Sequence, residues 1–203
     1  MASGQSGLRE RKKRATRALI ADTASRLFAE RGFDQTTVAE VAEAAGVSVK
    51  TVFNYFPAKE DLFFDRDEEV KQRWLDAVAD QWPGEPLLAG LRRREVSRFS
   101  GHPGGPSARF RKIFAGSTHL QARGERMWAE HEDAVAAALA GRFGADAEDP
   151  TARVLAHQVL STHRMVVRMA EVWSQQGMAP DEVRDRALLL INRAFDILEL
   201  GLP

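Results

Sequence analysis

Gly46-Val47-Ser48, set between two short apolar stripes, constrains this chain more than any other stretch. Ahead of it Val38, Val41, Ala42 and Ala45 recur at helical spacing. Behind it Val52, Phe53 and Phe56 do the same and face inward, until Pro57 disfavours helix at the residue before it. Thr37, with Glu40 three residues later, reads as a capping box, and Ser48 reads as the cap of the second helix. Gly46 can adopt the positive φ of a tight turn, Ala42 is small enough for close approach, and Val47 can plug the gap between the helices. The pattern alone fits either an ordinary corner of a helical bundle or a helix-turn-helix whose second helix enters a major groove.

The remainder of the chain also reads as helix. Ile20, Ala24, Leu27 and Phe28 make one stripe that ends at the glycine C-cap signal Arg31-Gly32. Ala58-Lys59-Glu60-Asp61 opens a fourth helix that the pattern carries to about residue 80, with acidic groups in its first turn as the helix dipole prefers. Further helices are expected near 86–100, 106–116, 118–142, 151–176 and 180–200, separated by Gly- and Pro-rich breakers. No useful β-alternation appears, so the expected fold is all-α with about nine helices. Residues 1–8 are expected to be a disordered tail, 9–57 a helix-turn-helix domain, and 58–203 a larger helical domain for ligand binding and dimerisation. With no cysteine, disulfides and thiolate metal sites are excluded. No secretory signal or apolar run of membrane-spanning length is present, which leads to the expectation of a cytoplasmic protein.

Net charge is zero, with 29 Lys+Arg against 29 Asp+Glu, but its distribution is uneven. Residues 1–56 carry an excess of three positive charges and the remainder an excess of three negative. Arg9, Arg11, Lys12, Lys13, Arg14 and Arg17 form a basic arm opposed only by Glu10. Such a run is either a solvated frayed tail or a phosphate-seeking arm, and its place just ahead of the turn motif favours the second.

Taken together, residues 13–63 resemble the N-terminal domain of TetR-family regulators. The resemblance rests on Ala24, Leu27 and Phe28; Arg31-Gly32-Phe33; Thr36-Thr37-Val38; Val41 through to Ser48; Thr51-Val52-Phe53; Tyr55-Phe56; and Lys59-Glu60-Asp61-Leu62. It implies a three-helix DNA-binding domain, a linking helix, and a helical C-terminal domain that dimerises through its last two helices and holds a small-molecule pocket. It also implies that Thr37, Tyr55 and Lys59 contact phosphate, that Val49, Lys50 and Thr51 meet base edges, and that Asn54 sits near backbone or base. Thr36 and Ser48 belong to the same DNA-binding set. Phe53 departs from the Tyr common in the family, so one hydroxyl to phosphate is missing.

The C-terminal half carries less. Leu155, Val159 and Val166 on one helix, and Val183, Ala187, Leu190, Ala194 and Leu198 on the next, form stripes assigned to a homodimer interface, helped by apolar groups off the stripe such as Val154, Met165, Val172 and Leu189. Phe99, Phe114, Met127, Trp128, Met165, Met169 and Trp173 are candidate lining for a small hydrophobic effector. Arg164 and Arg168 could meet an anionic ligand or acidic side chains. Glu130-His131-Glu132-Asp133 does not converge as a metal site, since neighbours on a helix point apart, and no cofactor is expected. The expected function is a sequence-specific, DNA-binding transcriptional regulator, a repressor released from a palindromic double-stranded operator by a small-molecule effector. The alternatives are a regulator of the same architecture without an effector, or a helical enzyme or adaptor, for which no convergent catalytic set speaks.

Overall fold

The structure, a computed structural model, describes residues 3–80, 82, 84–101, 108–146 and 148–200, with the side chains of 3–8, 101 and 108 left aside. Among these residues it is all-α: α1 (Ser3–Arg31), α2 (Val38–Ala44), α3 (Val49–Tyr55), α4 (Lys59–Phe63), α5 (Asp67–Ala79), α6 (Ala89–Gly101), α7 (Ala108–Ala115), α8 (Thr118–Phe143), α9 (Pro150–Gln175) and α10 (Pro180–Leu200). The expected termini are largely where the caps place them. Asp149 accepts the Ala152 N–H at 2.9 Å and Pro150 occupies the first turn of α9, where a missing N–H costs nothing.

Helix α1 begins at Ser3, so the basic arm from Arg9 to Arg17 lies on α1. One expectation fails. The single fourth helix is two: Phe64 leaves helical geometry at φ −96° and ψ 39°, and the chain restarts at Asp67, whose N–H reaches the Phe64 carbonyl at 2.9 Å. Packing supplies the reason for the break. Phe63 stacks on Phe110 at 4.2 Å between centroids and meets Phe64 edge-on at 5.1 Å, while Phe64 also meets Phe110 and Phe114 at 6.3 Å. Adjacent side chains of a continuous helix diverge by about 100°, so seating both rings in one aromatic cluster requires leaving the helix.

The chain forms two compact units. The first comprises residues 1–67 and 108–124, and therefore reaches past the expected boundary at 57 and takes in α7 and the start of α8. Its core gathers Ile20, Ala24, Leu27 and Phe28 of α1, Val41 of α2, Val52 and Phe56 of α3, Leu62 of α4 and Leu120 of α8. Each large apolar side chain buried there contributes about 1.5–3 kcal/mol.

The second unit comprises residues 68–107 and 125–203, with α10 packed on both α9 and α6. Trp74, Leu88, Leu91, Phe99, Leu160 and Phe195 are among its fully buried side chains. Gly90 is required here: a Cβ at this position would strike the backbone carbonyls of Ala77 and Asp80 at the end of α5, which no side-chain motion relieves.

Candidate nucleic-acid interface

α2 and α3 are short, and the N-terminal end of each is held by its cap side chain. The Thr37 hydroxyl accepts the Glu40 N–H at 3.2 Å, and the Glu40 carboxylate accepts the Thr37 N–H at 2.7 Å, closing the expected box. These hydrogen bonds from the Thr37 backbone and hydroxyl, with Arg31 3.0 Å away, hold the Glu40 carboxyl below its usual range. The Gly46 N–H bonds back to Glu43 at 3.1 Å, and its φ of +66° turns the chain so that the Val47 N–H reaches Ala42 at 2.9 Å. The Ser48 hydroxyl then accepts the Thr51 N–H at 3.0 Å and starts α3.

With that start fixed, the core decides the rotation of α3. Val52 and Phe56 are buried, and Tyr55 packs half-buried against the same core. The opposite side carries Val49 (41% exposed), Lys50, Phe53 (46% exposed) and Asn54. These are two i, i+4 pairs, Val49 with Phe53 and Lys50 with Asn54, so they share one outward surface. It offers an apolar branch for a thymine methyl, a cation for phosphate or guanine, and an amide able to read adenine.

Several expected contacts are placed differently. Phe53 points out, not into the core; its i+4 relation to Val49 was the available signal. Thr36 is fully buried and donates its hydroxyl to the Gly32 carbonyl at 2.9 Å, so it closes the turn before α2 and has no surface to offer DNA. Thr37 and Ser48 are exposed but their hydroxyls are engaged as caps, and Thr51 is half-buried with its hydroxyl 2.8 Å from that of Ser48. Lys59 begins α4 with Nζ 4.2 Å over the Phe33 ring; burial pulls its pKa down, against Asp34, Glu60 and Glu40, which push it up.

The basic arm also divides. Arg9, Arg11, Lys12, Lys13 and Arg14 are exposed on α1 and have no acidic partner among the described residues. Arg17 is not part of the free set. It donates to the Tyr55 carbonyl at the end of α3 and to the Asp65 carbonyl, both at 2.9 Å, with its guanidinium 4.2 Å over the Phe56 ring. Arg17 thus ties α1 to the far end of the reading helix, and nothing in sequence spacing distinguishes it from its neighbours.

These arrangements match known proteins. Residues 20–65 match the family described as "Bacterial regulatory proteins, tetR family", and residues 107–203 match the "MftR C-terminal domain". The transcriptional regulator TcmR of Streptomyces glaucescens is 30% identical over 151 residues, covering 70% of this chain and 67% of TcmR. The chain belongs to the TetR family. It is a DNA-binding transcriptional regulator of that family. MftR of Mycobacterium tuberculosis, named for mycofactocin biosynthesis, is 25% identical over 95% of this chain and 93% of its own. Among solved structures, the SmeT–triclosan complex superposes with a TM-score of 0.57 at 22% identity, over 89% of this chain and 91% of SmeT. NalD of Pseudomonas aeruginosa, a repressor of a multidrug efflux pump, gives 0.56 at 19%, over 89% and 97%. At those identities the two structures establish the fold.

The C-terminal assignments are redistributed within their units. Leu155, Val159, Val166, Val183 and Ala187 are buried in the core of the second unit, and Leu190, Ala194 and Leu198 are half-buried. The exposed apolar groups of α9 and α10 are instead Val154, Met165, Val172, Leu189, Ile197 and Leu200, because the main stripes are consumed by α9, α10 and α6 packing together. Of the expected effector lining, Phe99 and Met127 are buried, and Trp128, Met169 and Trp173 are half-buried, all in the second unit. Met165 faces outward, and Phe114 belongs to the aromatic cluster of the first unit, against Gly124. Arg164 meets an acidic side chain, Glu125 at 3.0 Å, and Arg168 is exposed. His131 is buried against Trp128 at 5.4 Å, while Glu132 reaches His157 at 3.1 Å, so the acidic run on α8 splits between faces. No helix among the described residues is long and apolar enough to cross a membrane.

Proposed function

We propose that this regulator binds a palindromic operator as a homodimer and leaves it when a small apolar molecule binds its second unit. The observation that carries the reading is the free face of α3, Val49, Lys50, Phe53 and Asn54, beside the unpaired cations of α1. Exposed Val49 and Phe53 have no intramolecular reason to be outward on a helix so tightly fixed at both ends, and a groove lined with methyls and phosphates gives them one. Two copies must present their α3 helices about one DNA turn apart, roughly 34 Å, or a multiple of it. The exposed apolar groups of α9 and α10 are the surface on which the second copy docks.

An effector acts only through a difference in its affinity for the DNA-competent and released arrangements, typically 1–3 kcal/mol, or about 5–150-fold in operator affinity. The triclosan bound by SmeT supports an apolar effector class. Mobility-shift titration on specific and scrambled duplexes tests the DNA reading. Val49→Ala and Asn54→Ala are expected to change the preferred sequence, whereas Lys13→Ala weakens binding to all sequences alike and lowers the salt dependence. Retention of sequence preference in both α3 variants would overturn it.

A further inference from the structure

The second unit encloses a cluster whose hydrogen-bonding balance is one-sided. On α6, Arg94 and Arg98 lie one turn apart on either side of the buried Glu95. Glu95 pairs with Arg94, and its other oxygen lies 2.7 Å from Nδ1 of the buried His163 on α9. The Arg94 guanidinium sits 3.3 Å over the Trp74 ring, which meets His163 edge-on at 5.2 Å, and Trp128 closes on the same histidine at 5.6 Å.

Burial holds His163 below its usual pKa, so at neutral pH the imidazole is uncharged and donates to Glu95. Two guanidiniums then face one carboxylate. Arg73 does not restore the balance; it adds repulsion to both arginines while itself pairing with Glu69. Arg98, half-buried, is attracted by the Glu95 charge but makes no direct ion pair with a carboxylate among the described residues. The groups lacking a protein acceptor are donors: Nε of Arg94, Nε of Arg98, and Nε1 of the fully buried Trp74. A buried cation or N–H left in this condition is costly, and natural proteins keep such groups where a ligand completes them.

We propose that this cluster is an anion-binding subsite of the effector site, taking a carboxylate or phosphate head group through Arg98, Arg94 and Trp74 while an apolar body lies along Trp74 and Trp128. The proposal rests on the effector reading above and narrows its ligand from apolar to apolar-with-an-anionic-head. Glu95 and His163 are positioning residues: they hold Arg94 over the indole and leave Arg98 to the ligand.

The test is thermal unfolding of the full chain, wild type and Arg98→Met, in sodium chloride at matched ionic strength with sodium benzoate, phenyl phosphate or benzyl alcohol added. Benzoate or phenyl phosphate should raise the wild-type Tm by about 3 °C or more as the site fills, and benzyl alcohol should not. The better of the two anions assigns the head group. Without added ligand Arg98→Met should melt at or above wild type, since the burial cost of a half-buried guanidinium with no direct ion pair outweighs its attraction to Glu95, and it should lose the response to the anions. Equal shifts from benzyl alcohol and the anions in both proteins would overturn the anionic head while leaving an apolar effector site standing. An Arg98→Met protein that melts several degrees lower, with wild type indifferent to all three compounds, would show that Arg98 serves the fold and would end the proposal. The wild-type comparison of anion with alcohol decides the matter even if the variant does not fold.

Discussion

Arg17 offers the sharpest separation of a structural cation from a phosphate-binding one. Its two hydrogen bonds, to the Tyr55 and Asp65 carbonyls, come from a charged donor, and such bonds are worth about 1.5–3 kcal/mol each. The side chain is half-buried, so water recovers part of the loss; stacking on Phe56 adds about 0.5–1 kcal/mol. Arg17→Ala should therefore cost about 2–3 kcal/mol. Arg17→Lys keeps the charge but replaces a planar fork by a single ammonium that cannot span both carbonyls, and should still cost about 1–2 kcal/mol. For a chain of this size, Arg17→Lys should lower Tm by about 2–8 °C. Operator affinity should fall with it, because the end of α3 is released, while the slope of log affinity against log salt stays at the wild-type value. Lys13→Ala supplies the opposite profile: unchanged Tm and a slope smaller by about 0.9 if Lys13 neutralises one phosphate. Circular dichroism melts and mobility shifts at several salt concentrations measure both. If Arg17→Lys melts and binds as wild type does, and Arg17→Ala only reduces the salt slope, Arg17 belongs to the arm and the clamp is irrelevant.

Three further outcomes are expected. Phe53→Tyr adds a hydroxyl to the outward face of α3 and should tighten binding about fivefold, near 1 kcal/mol, on specific and scrambled duplexes alike; fluorescence anisotropy titration checks this, and an unchanged affinity refutes it. Gly90→Ala should cost about 3 kcal/mol or more, seen as a drop in urea midpoint, because the added methyl meets the backbone of α5 and not a movable side chain. Stability should also fall with acid. Burial depresses His163, so the unfolded chain takes up this proton first as pH drops below about 6.5. Its contribution is complete above that pH and is lost as pH falls through the depressed folded value. Glu95 follows the same sign lower down: burial pushes its carboxyl up, but the His163 hydrogen bond, Arg94 and Arg98 outweigh burial and hold it low. Urea midpoints from pH 7.5 to 5.5 should decline in wild type and decline less in His163→Gln.

The sequence by itself determined where most helices begin and end and which stretch makes the turn. Those are local matters: Thr37 with Glu40, Ser48 with Thr51, and Gly46 at positive φ act within four residues, so their spacing is their mechanism. It also placed Val49, Lys50 and Asn54 on an outer face, since Val52 and Phe56 leave few other rotations for so short a helix. The tertiary structure decided everything that depends on which face meets which neighbour. A charged run looks uniform until Arg17 finds two carbonyls 38 and 48 residues away. An apolar stripe on α9 and α10 does not announce whether it packs within the chain or outside it, and here α10 packs on both α9 and α6. Phe63 and Phe64 continue a helical pattern that only the packing around Phe110 interrupts. The Arg94–Glu95–His163 cluster joins α6 to α9 across 68 residues. Periodicity reports the angle of a side chain about its own helix, whereas burial, ion pairing and unmet donors are set by elements the chain brings together from a distance.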